Sequence, residues 1–164
     1  MNKGLRSVLF GMHNPIIHGI FVYLAWIRIY HEIPSFREII CILFHDIGYI
    51  KQNIIDGDSD KHPEMGAKIC GQLFGKEYYN LCIAHSRDYA NKLNLSLSKL
   101  GYADKYCVFM TPNLLYLIIG YTGGEAKIYF EDTKNMKWCY KRINIIKEGY
   151  KKWWINNCEG LRKV

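Results

Sequence analysis

An apolar stretch with a His–Asp pair at its centre is the feature that most constrains how this chain can fold. Residues 41–50 read CILFHDIGYI, so His45 and Asp46 lie within a run that the hydrophobic effect drives into the interior. Desolvating a histidine beside a carboxylate costs free energy unless another group compensates the charge. A divalent metal ion is such a group, because imidazole and carboxylate both bind first-row divalent ions. The stretch therefore predicts a core that closes around a polar centre, with a metal as the first hypothesis.

Size and composition predict one folded domain across residues 1–164. The chain has 49% hydrophobic and 23% charged residues, which is typical of a globular protein. None of the six cysteines forms a CxxC pair, which indicates free thiols in a reducing compartment. No apolar run reaches the roughly 18 residues that a membrane span requires. We therefore expect a cytoplasmic protein without a membrane partner.

Hydrophobic periodicity and helix-capping residues predict an all-α fold of about six to eight helices. Asn14-Pro15 is a favourable helix start, and Ser35 has the spacing to Glu38 of a capping box. The first helix is expected to be largely buried, because one apolar face contains Ile17, Ile20, Phe21, Leu24 and Ile27 and is widened by Val22, Ala25 and Ile29. A strand pattern stands out only at residues 127–130. The predicted helices cover about residues 14–30, 35–48, 62–74 and 76–93, one starting at 96 or 98, one from 112 to 122, and one or two basic helices after them.

The positive charge is concentrated at one end of the chain. Residues 134–164 contain nine basic and two acidic side chains, which account for the whole net charge of +7. The segment 125–164 also interleaves lysines with aromatic residues, as nucleic-acid-binding and membrane-surface segments do. The interpretation that we favour is a C-terminal helix whose aromatic residues pack on the bundle while its lysines face water. These aromatic residues are Trp138, Tyr140, Tyr150, Trp153 and Trp154.

Several ionisable residues besides the His–Asp pair stand at apolar or helix-cap positions. His18 lies in the first turn of a predicted core helix, and Asp104 lies between two apolar residues at i±4 spacing. His62 begins a predicted helix, and His85 falls in the middle of another. Each residue taken singly could be a structural hydrogen-bonding group. Because buried polar groups need partners, one shared metal site would satisfy all of them together.

The ordered pattern of these residues resembles the HD-domain superfamily of metal-dependent phosphohydrolases. The local sequences HDIGYI, HPEMGAKI, HSR and YADK are similar to those of small bacterial and phage members, over about residues 14–122. The resemblance implies a helical bundle around one or two divalent ions, which could be Mn, Mg, Fe, Co or Zn. The implied ligands of a single ion are His18, His45, Asp46 and Asp104. The implied additional ligands of a second ion, bridged by Asp46, are His62 and His85.

The resemblance also implies hydrolysis of a phosphomonoester, phosphoanhydride or phosphodiester bond. A divalent ion lowers the pKa of a bound water from 15.7 to about 7, which supplies hydroxide at neutral pH. Asp46, His62 and His85 are the expected catalytic residues. We expect a small phosphorylated substrate, most plausibly a nucleotide, because a compact single domain offers a pocket and no large polymer-binding platform.

Four basic residues are candidates for binding the substrate phosphate, since each lies close in sequence to a proposed ligand. They are Lys51, Arg87, Lys99 and Lys105. Arg87 is the best of them, because a guanidinium can bind phosphate in a bidentate manner. Lys51 lies two residues after Tyr49, which stands where many HD proteins have a lysine.

Other members of the same superfamily provide the alternatives. His85 is followed by Ser86, and the chain has no Gly-Tyr-Pro, so a cyclic-dinucleotide phosphodiesterase of the HD-GYP kind is disfavoured. A di-iron oxygenase such as myo-inositol oxygenase has a similar ligand order and is the main alternative. A nucleic-acid-binding HD protein acting through the basic segment is the second. Glu64 and His62 are the nearest candidates for a general acid, and the sequence leaves both that role and the oligomeric state open.

Overall fold

Every element in the described part of the chain is helical, which confirms the all-α prediction. The protein is represented by a computed structural model that describes residues 2–52, 61–126 and 136–157. The predicted strand pattern at 127–130 lies outside these residues. The α-helices are α1 (Lys3–Phe10), α2 (Ile17–Tyr30), α3 (Phe36–Phe44), α4 (His62–Phe74), α5 (Lys76–Ile83), α6 (Arg87–Lys92), α7 (Lys99–Met110), α8 (Asn113–Gly123) and α9 (Met136–Asn157), and Ile47–Lys51 forms a 3₁₀ helix.

Capping residues fix the ends of several helices where the sequence predicts them. The Ser35 hydroxyl accepts a hydrogen bond from the Glu38 N–H, and the Glu38 carboxylate accepts one from the Ser35 N–H, which completes the capping box at α3. The Ser98 hydroxyl accepts a hydrogen bond from the Gly101 N–H and starts α7. Gly75, at φ 96°, separates α4 from α5 in a backbone conformation that favours glycine.

The main core lies among α2, α3, α4, α5 and α7. Trp26 from α2, Ile42 from α3, Ile83 from α5 and Leu100 from α7 have almost no solvent exposure. Burying a side chain of this size contributes about 1.5–3 kcal/mol relative to leaving it in water. The His–Asp pair directly follows the buried part of α3, so the core holds its position.

The buried face of α2 differs from the predicted one. The sequence predicts that Ile20 and Leu24 face inward, but these side chains are 52% and 40% exposed. The buried face includes Ala25, as predicted, together with Gly19, and both residues are small. An added Cβ at Gly19 would lie 3.2 Å from Leu43 of α3, so a small residue here allows close packing of the two helices.

Two predicted helices end earlier than expected, and both ends lie at the polar centre. The predicted helix 35–48 stops at Phe44, so His45 caps it and Asp46 lies just beyond it. The predicted helix 76–93 is divided into α5 and α6, with His85 in the break. The His85 side chain hydrogen-bonds to a backbone carbonyl at the end of α5, a local contact that competes with helix continuation.

Helices α1 and α9 complete the bundle from the two ends of the described chain. The sequence gives no prediction for α1, which packs on the 3₁₀ helix and α8 and leaves no room for a side chain at Gly4. On α9, Cys139 and Ile143 are fully buried, and the ring centroid of Trp154 lies 4.9 Å from that of Tyr106 on α7. The contact agrees with aromatic packing of the basic segment. None of the helices in the described ranges is long and apolar enough to cross a membrane.

Candidate metal centre

A cavity of about 560 Å³ lies at the ends of α3 and α5 and is bounded by α2, α7 and α9. Five of the six predicted metal ligands line it, namely His18, Asp46, His62, His85 and Asp104. The sixth, His45, is fully buried beside them at 1% exposure. The structure therefore brings together residues that are spread over 87 positions of the sequence, from 18 to 104.

One group of possible ligands forms around one oxygen of Asp46. The Oδ2 atom of Asp46 lies 3.6 Å from Nε2 of His18 and 3.4 Å from Nε2 of His45. The Oδ1 atom of Asp104 lies 3.1 Å from the same nitrogen of His18 and 3.9 Å from that of His45. Two imidazoles and two carboxylates thus converge, a donor set that suits first-row divalent ions.

A second group forms around the other oxygen of Asp46. The Oδ1 atom lies 3.6 Å from Nε2 of His62 and 3.3 Å from Nε2 of His85. These two nitrogens are 3.1 Å apart. The ring of Tyr49 stacks on that of His62 at a centroid distance of 4.3 Å, which orients it. Asp46 therefore offers one oxygen to each of two histidine pairs, as a carboxylate that bridges two ions must do.

Backbone carbonyls fix which nitrogen of two histidines faces the centre. Nδ1 of His45 lies 2.7 Å from the Ile42 carbonyl oxygen, and Nδ1 of His85 lies 2.5 Å from that of Cys82. A carbonyl only accepts, so each Nδ1 donates its proton and Nε2 is the nitrogen that faces Asp46; in a neutral ring this Nε2 carries the lone pair. Metal-binding histidines are held in this manner by a hydrogen bond to their other nitrogen.

Two buried nitrogens of this centre lack a hydrogen bond. Among the described residues, Nε2 of His18 and Nε2 of His45 have no hydrogen-bond partner, although carboxylate oxygens lie close to both. An unsatisfied buried polar group costs about 1–3 kcal/mol. A cation between these nitrogens and the carboxylates would satisfy all of them, so the residues present fit a metal ion.

The protonation states of the central pair also suit a metal. Burial lowers the pKa of His45 to about 3, although the Asp46 carboxylate acts in the opposite direction. Burial would raise the pKa of Asp46, but His45 and the other surrounding histidines hold it well below its usual range. A neutral imidazole and an ionised carboxylate at neutral pH are the forms that bind metals.

His18 has the opposite tendency. Burial alone would lower the pKa of His18. The contacts with Cys107 and Asp104 raise it by a larger amount, so the net pKa is well above the ordinary value. The surroundings of His18 thus favour a positive charge at this position. A metal ion can provide that charge when it takes the place of the proton on Nε2.

Two of the four predicted phosphate-binding residues reach the cavity. Lys105 lines it and forms an ion pair with Oδ2 of Asp104. Arg87 stands at its rim, with its guanidinium carbon 5.7 Å from the centroid of the Trp153 ring. Two cationic side chains thus stand next to the candidate ligands, together with the acidic Asp88, which also lines the cavity.

The structure does not bring Lys51 or Lys99 to the cavity, which corrects two of the predicted substrate contacts. Lys51 is exposed at the end of the 3₁₀ helix. Lys99 forms an ion pair with Glu32 at 2.8 Å and lies over the Tyr30 ring, on the outer surface of α2 and α7. Closeness in sequence to Asp104 does not bring Lys99 into the cavity, because Lys99 lies more than one helical turn before Asp104 and on another face of α7.

A second buried polar cluster at the cavity wall was not predicted from the sequence. Glu125 is fully buried; its carboxylate accepts hydrogen bonds from the Ser7 hydroxyl at 2.6 Å and the Met12 N–H at 2.8 Å. Nδ1 of His13 lies 3.1 Å from the same carboxylate and 2.7 Å from Oγ of Ser7. Since the Ser7 proton goes to Glu125, Nδ1 of His13 is the donor to both oxygens.

This cluster positions His13, which also lines the cavity. Burial lowers the pKa of His13, but the hydrogen bond to Glu125 and the negative charges of Asp46 and Glu125 together outweigh burial, so the net pKa is raised. The ring centroid lies 4.0 Å from that of Tyr49. The only sign of this cluster in the sequence is Glu125 itself, a single acidic residue directly after Gly123-Gly124. Its partners lie more than 110 positions away, so local sequence pattern could not predict the cluster.

Comparisons with protein-family models, with curated proteins and with solved structures find no match for this chain.

Proposed function

We propose that this protein is a metal-dependent phosphohydrolase that acts on a small phosphorylated compound, most plausibly a nucleotide. The observation that carries the proposal is Asp46, whose two carboxylate oxygens face two separate pairs of histidines. This arrangement supports a centre of two divalent ions bridged by Asp46. The proposal also assigns the chain to the HD-domain superfamily, on the order and convergence of the six ligands.

The candidate ligands divide into two sets with one shared member. The first set is His18, His45, Asp46 and Asp104, and the second is Asp46, His62 and His85. Bound ions would supply hydroxide at neutral pH by lowering the pKa of water to about 7. The protein holds the ligand atoms at fixed positions through the backbone contacts of His45 and His85.

The charge and size of the cavity support a phosphate ester as the substrate. Lys105 and Arg87 provide positive charge beside the centre, where it can stabilise the oxygens of a phosphoryl group. The volume of about 560 Å³ is within the range of small-molecule sites. Phe21, Tyr116 and Tyr150 add apolar and aromatic surface to the wall, which suits a nucleobase.

His13 is the residue that we propose as the general acid. Its Nδ1 is held by Ser7 and Glu125, which leaves Nε2 as the nitrogen that can meet a molecule in the cavity. A leaving oxygen needs a proton when its bond to phosphorus breaks, and histidine is the commonest donor. Glu64 and His62, the candidates from the sequence, are less suitable, because Glu64 hydrogen-bonds to the Tyr89 hydroxyl and His62 belongs to a ligand set.

The di-iron oxygenase remains the second candidate, since the same six residues are a suitable donor set for iron. Positive charge from Lys105 and Arg87 favours the hydrolase, because an anionic phosphate needs it. Nucleic-acid binding through the exposed lysines of α9 is a third proposal. It predicts affinity for single strands that falls steeply with salt.

One experiment separates the hydrolase from the oxygenase. Protein purified anaerobically is loaded with Mn²⁺, Mg²⁺, Fe²⁺, Co²⁺ or Zn²⁺ and tested for phosphate release from a panel of nucleotides, with and without oxygen. We expect metal-dependent and oxygen-independent phosphate release by the wild type and by Lys99→Ala, but not by Asp46→Asn. Oxygen uptake by the iron form without phosphate release would replace the hydrolase with the oxygenase.

A further inference from the structure

Three cysteines converge in the core at a distance from the cavity. Cys41 of α3, Cys70 of α4 and Cys82 of α5 are each fully buried, and all three are free thiols. Their sulfur atoms all lie within 4.8 Å of one another. We propose that these three thiols form a second metal site, which binds one soft, thiophilic ion, with Cu(I) as the favoured species.

The chemistry of the donors sets the class of ion. Thiolates bind soft ions such as Cu(I) and Zn²⁺ in preference to Mg²⁺, Ca²⁺ or Mn²⁺. With metal–sulfur bonds of about 2.3 Å, three sulfurs around one trigonal ion lie roughly 4 Å apart. The observed convergence within 4.8 Å therefore needs only small movements to enclose an ion.

The number of donors favours Cu(I) over Zn²⁺. Structural zinc sites almost always have four ligands. The described residues around the cluster supply three sulfurs and no fourth ligand atom within the same distance. Solvent does not reach any of the three side chains, so bulk water is not available for a fourth position. Cu(I) is stable with three sulfur ligands.

Hydrogen bonds within the cluster distribute the protons unequally among the three thiols. Hydrogen bonds from Cys41 and Cys82 lower the pKa of Cys70 to about 4, in opposition to burial. The hydrogen bond with Cys70 raises the pKa of Cys41, and hydrogen bonds with both other thiols raise that of Cys82, so one member of the trio favours the ionised form. When Cu(I) binds, metal–sulfur bonds replace the thiol protons, which are released to solvent. The ion keeps its oxidation state, so no oxidant or reductant takes part.

The cluster has a defined relation to the His/Asp centre, because the same three helices carry both. Cys41 lies one turn before His45 on α3, and Cys82 lies three residues before His85. The Cys82 carbonyl accepts the hydrogen bond from Nδ1 of His85. An ion held by the three sulfurs would fix α3, α4 and α5 relative to one another, and with them one side of the His/Asp centre.

Packing alone gives the competing explanation, since cysteine is a common small core residue. Cys139 provides the matched control, because it is also fully buried but belongs to a different core cluster, at α8 and α9. A Cys→Ala change removes the same atom at either position. Only the position in the trio should affect binding of a thiophilic ion.

The test is a titration of the reduced, metal-free protein with Cu(I) supplied as its bicinchoninate complex. Transfer of copper is followed by loss of the bicinchoninate colour and by the ultraviolet thiolate-to-copper charge-transfer band. We expect one Cu(I) per chain in the wild type, Cys139→Ala and Asp46→Asn. Cys41→Ala, Cys70→Ala and Cys82→Ala should each weaken binding by at least about 100-fold.

The Asp46→Asn arm keeps this proposal separate from the proposed hydrolase. That variant loses the His/Asp centre but should still bind Cu(I), so failure of either proposal is seen without the other. No copper transfer to the wild type, with all thiols reduced, would overturn the thiol site. Wild-type affinity in any trio variant that keeps its helical circular dichroism spectrum would overturn it as well.

Discussion

Two buried acidic residues have opposite surroundings, although Asp46 lines the cavity and Glu125 lies directly behind Met12 and His13 of its wall. Glu125 is surrounded by donors, since it accepts hydrogen bonds from Ser7, Met12 and His13. Asp46 is surrounded by histidine nitrogens, and Nε2 of His45 lacks any hydrogen bond among the described residues. The first cluster is complete in itself, whereas the second is complete only with an added cation.

The difference shows how to separate structural polar groups from ligand-binding ones. Burial alone does not separate them, because Glu125 and Asp46 are both buried, at 0% and 7% exposure. What differs is whether the protein supplies every hydrogen bond that the buried atoms require. The Glu125 cluster holds His13 in position. The Asp46 cluster contains buried atoms that still need a partner, as the atoms of a binding site do.

The largest expected effect comes from removing the charge of Asp46. Asp46→Asn alters the one carboxylate that both ligand sets share and, on the proposed function, should reduce hydrolysis at least about 10⁴-fold, since bound metal ions would contribute several kcal/mol to catalysis. Metal content, measured by mass spectrometry of the desalted protein, should fall with it. Glu125→Gln is the matched control and should retain its metal. Equal metal loss in both variants would remove the distinction between the clusters.

The next effect tests the role of His13, whose ring the Glu125 cluster holds in place. His13→Gln should lower kcat by roughly 10²- to 10³-fold with metal content unchanged, because a general acid contributes a factor of this order. The effect should be smaller for substrates with a good leaving group, such as nitrophenyl phosphate, which need no proton. His31→Asn, outside the cavity wall, serves as the control. An equal loss for good and poor leaving groups would contradict the role of His13.

A smaller effect is expected for the cation at the cavity rim. Arg87→Ala should reduce kcat/KM by about 10- to 100-fold, as expected for a charge-assisted hydrogen bond worth about 1.5–3 kcal/mol. Lys99→Ala removes a positive charge of the outer surface and should leave kcat/KM unchanged. The comparison of the two variants under steady-state conditions distinguishes contact with the substrate from a general effect of charge.

The smallest expected effect is the pH dependence of stability in the metal-free protein. The pKa of His45 is about 3 in the folded protein and about 6.5 when unfolded. Between these values the unfolded chain takes up a proton that the folded chain does not, so stability falls as the pH decreases below about 6.5. The contribution of His45 is at most about 1.4 kcal/mol per pH unit.

Denaturant unfolding of the wild type and His45→Gln between pH 7 and 5 measures this contribution. The wild type should lose stability more steeply than the variant, because only the wild type carries the titrating imidazole. If the stability of both proteins depended on pH in the same way, His45 would be protonated in the folded state. Its Nε2 would then carry a proton and no lone pair would face Asp46.

The residues at the ends of core helices were the most predictable part of the site. His45 and Asp46 stand out because polar groups interrupt an apolar helix, and His85 because it falls inside another predicted helix. The prediction that helices 35–48 and 76–93 are continuous was wrong, because these polar side chains lie where the helices end. The spacing of apolar residues gives no information about a side chain that hydrogen-bonds to the backbone and thereby ends a helix.

The parts that depend on distant packing were not predictable from local pattern. The inward face of α2 is set by close packing at Gly19, and the strongly apolar residues Ile20 and Leu24 are left outside. The contact of Glu125 with His13 joins residues 112 positions apart. No window of helical length contains both, so only the folded chain brings them together.

Helix α9 forms a wall of the cavity through Ile146 and Tyr150, yet all six candidate ligands precede residue 105. During translation, the ligands therefore leave the ribosome more than 40 residues before this wall. The candidate ligands therefore emerge before the residues of α9 that close the cavity, and the centre of the nascent chain is then open to the surrounding medium. Any ion that binds this centre would meet it before the wall formed by α9 is complete.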